Sequence, residues 1–242
     1  MVEATPALSL VIPCYNEAGN LPRLVARCRE VFESPQVEVV FVDNGSTDGS
    51  ARLFEELLAG FGAGRVVRVP VNRGYGHGIG AGLHAARGRV LAWTHADLQT
   101  DPADARRGLA LFEAAADPDR LFVKGIRRGR PPRDVLFTWG MAAFEAVVLG
   151  GRGRLRDINA QPTMFSRRFF ESLDAVPDDF SLDLCVYYEA VRRGLRVQRF
   201  PVQFGARTAG IGHNETLRAK LRYSWRTARY SLALRRRLRR LR

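Results

Sequence analysis

Two rhythms of apolar and polar positions alternate along the 242 residues of the chain. Short apolar runs at 8–13, 37–43, 65–69, 90–94 and 121–124 read as β-strands. The run at 37–43 is continuous in apolar residues after Glu38, which suits a strand covered on both faces. Between the runs lie segments of helical period. In 21–32, Leu21, Leu24, Val25, Cys28, Val31 and Phe32 share one face. Ser46, Thr47 and Asp48 offer caps for a helix through residue 58, residues 78–87 read as a short helix rich in Gly and Ala, and another begins after Pro102. Further on, 134–149 and 182–193 read as helices, and 163–166 and 195–202 as extended. The Gly/Arg stretches 125–133 and 150–156 read as mobile loops over a site. This order predicts an α/β fold with a mostly parallel, doubly wound sheet, without internal repeats or disordered linkers.

Length and an apolar share of 46% allow one substantial core or two small ones. The charge adds more. Of the net +13, most lies in residues 217–242, which hold ten Arg, one Lys and no acid; without them the charge falls to +2. The chain therefore divides into a body, 1–216, and a basic tail, 217–242. In the tail Leu217, Leu221, Trp225, Ala228 and Leu232 recur at steps of three to four, followed by Leu234, Leu238 and Leu241. A basic amphipathic helix of this kind suits an anionic membrane surface, with Trp225 at the headgroups. Nucleic acid offers the same charge, but the body has no recognised nucleic-acid-binding fold, so the membrane is the expected partner. Cys14, Cys28 and Cys185 show no Cys-x-x-Cys spacing, which argues against a disulfide framework or a thiolate zinc site and suits a reducing cytoplasm. The N-terminus lacks a signal-peptide pattern, and no run reaches the roughly 18 apolar residues of a membrane span. The expected location is cytoplasmic, on the inner face of the membrane.

Candidate chemistry gathers where strands end. Residues 94–102, THADLQTDP, follow the run at 90–94 and set His95, Asp97 and Gln99 on alternate residues of a polar turn. In parallel α/β sheets ligands bind beyond such carboxyl ends. A carboxylate, an amide oxygen and an imidazole there suit a divalent cation that in turn holds a diphosphate; the structural alternative is that Asp97 and Asp101 end the strand and cap the next helix. The first two strands end in PCYNE and VDNGSTDGS, acids and an aromatic suited to a nucleoside, although Asn16 and Asp48 also suit helix caps. Gly74, Gly76, Gly78 and Gly80 fit either phosphate binding or tight turns.

The series PCYNE, VDNGSTDGS, NRGYGHGIGAGLHAARG and HADLQTDP resembles the inverting glycosyltransferases of family 2, which have the GT-A fold. The Asp-Leu-Gln form, with GIRRGR and NAQPTMFSRR, is most similar to the branch of dolichyl-phosphate mannosyltransferases and polyprenyl-phosphate glycosyltransferases. The resemblance runs from about residue 8 to 212.

The resemblance implies that Pro13, Tyr15, Glu17 and Asp43 hold the nucleoside of a GDP- or UDP-linked sugar. It implies that Asp97 and Gln99 hold Mg²⁺ or Mn²⁺ against the diphosphate. His95 departs from the family, which more often has Asp there, and an imidazole tilts the preference toward Mn²⁺. Arg73 and Arg207 are implied near the diphosphate, and Arg127 at the phosphate of a lipid acceptor, where a guanidinium fork binds well. Its structural alternative, a solvated loop, extends to Arg128, Arg130 and Arg133. Gln161 falls where the family lines the sugar pocket. Asp183 falls near the general base of relatives with hydroxyl acceptors. His213 is a metal ligand, a donor to the diphosphate or a surface residue. A phosphate monoester is already largely anionic at neutral pH, with a second pKa of about 6, whereas a hydroxyl needs a base. The expected reaction is transfer to a polyprenyl phosphate. Transfer to a hydroxyl with Asp183 as base is the alternative, and a catalytically silent nucleotide-binding module docked by its tail is the second.

Overall fold

The computed structural model describes residues 5–34, 36–129 and 155–205, together with Gly140, Val148, Trp225, residues 228–233, Arg235 and Arg236. Its strands are β1 (Leu8–Cys14), β2 (Val37–Asn44), β3 (Gly64–Val69), β4 (Val90–Trp93), β5 (Leu121–Arg128), β6 (Thr163–Ser166) and β7 (Arg196–Gln203). The helices are α1 (Leu21–Val31), α2 (Ser50–Leu57), α3 (Tyr75–Ala85), α4 (Asp104–Glu113), α5 (Arg167–Glu171) and α6 (Leu182–Arg192).

The sheet has seven strands in the order β3-β2-β1-β4-β6-β5-β7. Only β6 runs antiparallel to its neighbours, β4 and β5. Every residue of β2 is buried, as a strand covered on both faces requires. Its Glu38 sits 3% exposed and accepts from Ser9 Oγ, the Arg87 N–H and the Arg65 and Arg87 guanidinium groups. One core packs α1, α2 and α4 on one face of the sheet, and a second packs α3, α5 and α6 on the other.

The glycines of α3 have a packing role. A Cβ at Gly82 would collide with Val11 and Val42, and one at Gly78 would lie 2.8 Å from the Asn44 amide. A Cβ at Gly76 would meet the carbonyl oxygens of Pro177 and Asp179. The glycines thus let α3 lie directly on β1 and β2 and beneath the 177–179 loop.

Residues 125–128 correct the expectation of a loop: they continue β5, parallel to β7. Gly125 belongs in that strand because a Cβ there would strike the Gln161 carbonyl oxygen. The rest of that Gly/Arg stretch beyond Gly129, including Arg130 and Arg133, lies outside the described residues. So does most of 134–149, in which Gly140 and Val148 are helical.

In the tail, Trp225, residues 228–233, Arg235 and Arg236 are helical. Trp225 and Leu232 are 63% and 45% exposed. Tyr230 packs against the second core, and Ser231 is buried. The guanidinium of Arg229 lies 5.5 Å from the Trp225 ring. Leu217, Leu221, Leu234, Leu238 and Leu241 lie outside the described residues. Among the described residues, no helix is long and apolar enough to cross a membrane.

Candidate active site

The turns after β1 and β2 are tied to one another. Asn16 N–H donates to Ser46 Oγ at 3.1 Å, and Thr47 N–H returns a bond to Asn16 Oδ1 at 2.8 Å. Ala18 N–H donates to Asp48 Oδ2 at 3.0 Å, and Glu17 N–H to Ser50 Oγ at 3.2 Å. Asn16, at φ 55°, therefore cross-links two loops and does not cap a helix. Asp48 Oδ1 also accepts from the N–H of Ser50, the first residue of α2, whose N-cap is Gly49. Burial raises the Asp48 pKa, but the Ser50 hydroxyl and the N–H groups of Ala18 and Ser50 outweigh it, and the net shift is downward. Asp43 sits between these turns, buried, with Oδ1 accepting from Ser46 N–H at 3.1 Å. Pro13, Tyr15 and Glu17 are half-buried on the same rim, and Asn20 Nδ2 donates to Glu17 Oε2 at 2.5 Å.

Beyond β4 the polar turn is closed by a Thr94–Thr100 hydroxyl pair at 3.1 Å. Asp97 is buried and its Oδ1 accepts from Gln99 N–H at 3.1 Å, with Leu98 between them at φ 57°. Gln99 Nε2 donates to the Gly205 carbonyl at 3.3 Å, and Gly205 N–H donates to the Gln99 carbonyl at 2.8 Å, so the exit of β7 reaches the turn. Asp101 bonds Ala103 N–H at 2.9 Å at the approach to α4 and pairs with Arg27 at 2.7 Å. The contact to Ala103, which itself is the N-cap of α4, and the candidate metal role of Asp97 thus fall to different carboxylates. His95 lies against the Tyr75 ring, centroids 5.9 Å apart, and Tyr75 stacks on Phe180 at 4.7 Å. No group of three His, Cys, Asp or Glu among the described residues forms a self-sufficient metal cage. One buried carboxylate, an amide and an imidazole on one turn fit a cation completed by a diphosphate and water.

The glycine-rich segment is strapped by the loop before α6. His77 N–H donates to the Asp178 carbonyl at 2.9 Å, and Arg73 pairs with the Asp178 carboxylate at 3.4 Å on an exposed surface. Arg127, expected in a loop, is held in β5 by Asp157, which accepts from its backbone N–H at 3.1 Å, from Nε at 2.8 Å and from Nη2. Its guanidinium also faces the Phe204 ring at 5.4 Å. Arg128 is exposed. Arg207 and His213 lie outside the described residues.

Two of the expected residues meet. Gln161 Nε2 donates to Asp183 Oδ1 at 2.9 Å, both side chains being buried. The Gln161 side-chain oxygen Oε1 is buried without a hydrogen-bond partner. Burial raises the Asp183 pKa above the ordinary carboxylate value, and Lys124, His95 and the Gln161 hydrogen bond offset only part of the rise. Lys124 escaped the sequence reading. It is wholly buried on β5 and donates to Thr163 Oγ1 at 2.6 Å. Burial lowers its pKa to about 8 against the opposing charge of Asp183. Its signal in the sequence was a lysine inside an apolar strand, in a chain with two lysines against 36 arginines.

Residues 9–175 match the sequence model described as Glycosyl transferase family 2. Polyprenol monophosphomannose synthase of Mycolicibacterium smegmatis is 30% identical over 222 residues, 87% of this chain and 82% of that protein. Undecaprenyl-phosphate 4-deoxy-4-formamido-L-arabinose transferase of Pseudomonas fluorescens is 41% identical over 115 residues, 45% of this chain; the match spans only 32% of that longer protein. Among solved structures, glucosyl-3-phosphoglycerate synthase of Mycobacterium tuberculosis, in complex with Mn²⁺, UDP-glucose and phosphoglyceric acid, superposes with a TM-score of 0.72 at 20% identity, covering 96% of this chain and 80% of that one. A mannosyltransferase of Pyrobaculum calidifontis, in complex with GDP-Man and Mn²⁺, gives 0.62 at 21% identity, covering 96% and 75%. At such identities the likeness is one of fold, the GT-A fold.

Proposed function

The chain belongs to glycosyltransferase family 2, and from that premise we propose that it moves a sugar, with inversion, from a nucleoside-diphosphate sugar to a polyprenyl phosphate. The observation that carries this reading is the buried Gln161–Asp183 pair, whose unpartnered Gln161 side-chain oxygen Oε1 is an acceptor left for a sugar hydroxyl. The tied turns holding Tyr15, Glu17 and Asp43 receive the nucleoside. Asp97 and Gln99 would hold Mg²⁺ or Mn²⁺, which when bound neutralises charge on the departing diphosphate. Arg73 sits on the α3 side of that diphosphate, and Arg207 serves it from beyond β7.

The lipid-phosphate acceptor is supported by the Mycolicibacterium relative, which matches over most of both chains and whose name places its product on a polyprenol phosphate. The phosphate brings its own anionic nucleophile, so Asp183 orients and Arg127 attracts. Arg127 is preorganised by Asp157, and an arriving phosphate competes for the same fork. The tail supports delivery at a membrane: Trp225 and Leu232 face outward while Tyr230 faces the body. No nucleic-acid partner is part of this reading.

The test is transfer of radiolabelled sugar from GDP- and UDP-sugars to undecaprenyl phosphate with Mn²⁺. A donor-dependent, butanol-extractable, acid-labile product is expected. No product from any donor would leave a nucleotide-binding module without turnover. Product only on hydroxyl acceptors would favour Asp183 as a base.

A further inference from the structure

The two residues that follow β7 touch two parts of the candidate site. Phe204 N–H donates to the Arg128 carbonyl at 3.0 Å, and the Arg127 guanidinium lies 5.4 Å from the Phe204 ring, so Phe204 continues the pairing with β5. The next residue, Gly205, pairs with the polar turn beyond β4. Its N–H donates to the Gln99 carbonyl at 2.8 Å, and its own carbonyl accepts from Gln99 Nε2 at 3.3 Å. Gln99 is held from a third side as well, because its N–H donates to Asp97 Oδ1 at 3.1 Å. The backbone N–H, the backbone carbonyl and the side-chain N–H group of Gln99 are thus all engaged. Oε1 is the polar atom of the residue to which the described residues give no hydrogen bond.

A side-chain amide has an oxygen end that accepts and a nitrogen end that only donates, in nearly the same shape. A hard cation takes the oxygen and is repelled by the N–H group. The side chain itself does not choose between its ends, so a neighbour must. The Gly205 carbonyl does: were the amide turned, Oε1 would face another oxygen and the bond from Nε2 would be lost. The choice weighs more in this chain, whose turn carries His95 where the family more often has an acid. With less negative charge to draw the cation, more rests on the amide oxygen.

We propose that Gly205 is a positioning residue of the cation turn: its N–H and carbonyl bracket Gln99 and leave the amide oxygen, rather than the N–H group, for the cation. The pairing of Phe204 with β5 holds that carbonyl in place. Hydrogen bonds that orient a metal's ligands contribute about 10–100-fold in affinity. The proposal rests on the reading that Gln99 holds Mg²⁺ or Mn²⁺. Two substitutions at Gly205 separate its groups. A Cβ there would find the Gln99 carbonyl oxygen at 4.0 Å, so Gly205→Ala fits and keeps both backbone groups. Gly205→Pro removes the N–H and with it the 2.8 Å bond.

The experiment titrates chelator-stripped, full-length protein with Mn²⁺, alone and with UDP or GDP, and reads binding by the enhancement of water-proton relaxation, which needs no turnover. Gly205→Pro should weaken Mn²⁺ binding about tenfold, and Gly205→Ala by much less. In a Gln99→Glu background both ends of the side chain are oxygens, so its orientation ceases to matter. Gly205→Pro should there weaken binding by less than about threefold. Equal losses in the two backgrounds would overturn the proposal. If Gly205→Pro does not fold, NMR of the metal-free wild type decides. NOEs from the Gln99 Nε2 protons to the Gly205 Hα protons are expected, and their absence would overturn the proposal. Gln99→Leu distinguishes the two levels of failure. Mn²⁺ affinity unchanged in Gln99→Leu would remove Gln99 from the cation, and with it the reading on which the proposal rests. Affinity lost in Gln99→Leu but kept in Gly205→Pro would overturn the positioning role alone.

Discussion

Gln161 Nε2 donates to Asp183 Oδ1 at 2.9 Å inside the body, so the carboxylate and the amide that borders the proposed sugar pocket act as one unit. Replacing Asp183 by Asn removes the negative charge and keeps the size. A general base contributes about 10²–10⁴ in rate, whereas a phosphate acceptor needs no proton removed. Asp183→Asn should therefore lower transfer to undecaprenyl phosphate by less than about 100-fold. A larger drop, of several orders of magnitude in kcat, would mean that the acceptor is a hydroxyl.

Gly76 lies where α3 passes under the 177–179 loop. In Gly76→Ala the new methyl meets the carbonyl oxygens of Pro177 and Asp179, backbone atoms with little room to give. Overpacking of this kind costs about 1–3 kcal/mol. A drop of several degrees in Tm is expected, with a raised KM for the donor because the loop supports Tyr75 through Phe180. An unchanged Tm would show that the strap is loose.

At the opposite end of the sheet, Glu38 gathers Ser9, Arg65 and Arg87 around one buried carboxylate. Burial raises its pKa, but the hydrogen bonds from Ser9, Arg87 and Arg65 outweigh that, and the net shift is below the ordinary value of 4.5. A lowered folded-state pKa gives stability that is complete above the unfolded pKa and is lost as pH falls through the folded one. Glu38→Gln should cost about 2 kcal/mol at neutral pH, toward the low side for a buried pair because both arginines reach solvent. Denaturant unfolding at pH 7 and pH 3 checks this: the gap between wild type and variant should narrow at pH 3, and a constant gap would exclude the charge as its source.

Much of this was legible in the sequence because strand ends and helix faces are local patterns. The strands β1 to β4 and helices α1 and α6 lie within a few residues of their periodicity, and PCYNE, VDNGSTDGS and HADLQTDP do fall at the carboxyl ends of β1, β2 and β4. What escaped is non-local. Gly125 looks like a loop residue until Gln161 is known to press against it. Arg127 looks solvated until Asp157, thirty positions away, closes on it. Lys124 looks like a surface residue until β6 is placed antiparallel between β4 and β5, which brings Thr163 to its ammonium.

His95 stands where the family more often carries an acid; it lies against the Tyr75 ring at 5.9 Å, and it is among the groups whose charge bears on the Asp183 carboxyl. His95→Asp adds a negative charge one residue from Asp97's neighbour Ala96, on the same turn. If that turn holds the cation, the added charge should strengthen Mg²⁺ more than Mn²⁺, because a hard oxygen replaces a nitrogen ligand. Two charges about 4 Å apart at the protein surface interact by up to about 4 kcal/mol, so a tenfold gain in Mg²⁺ half-activation, roughly 1.4 kcal/mol, is a modest demand. The same change brings a negative charge toward Asp183 and should move the acid limb of transfer upward. Metal titration of chelator-stripped enzyme, read as transfer rate and as Tm, separates the two effects. An unaltered Mg²⁺ to Mn²⁺ preference together with a displaced acid limb would place His95 with Asp183 and outside the reach of the metal.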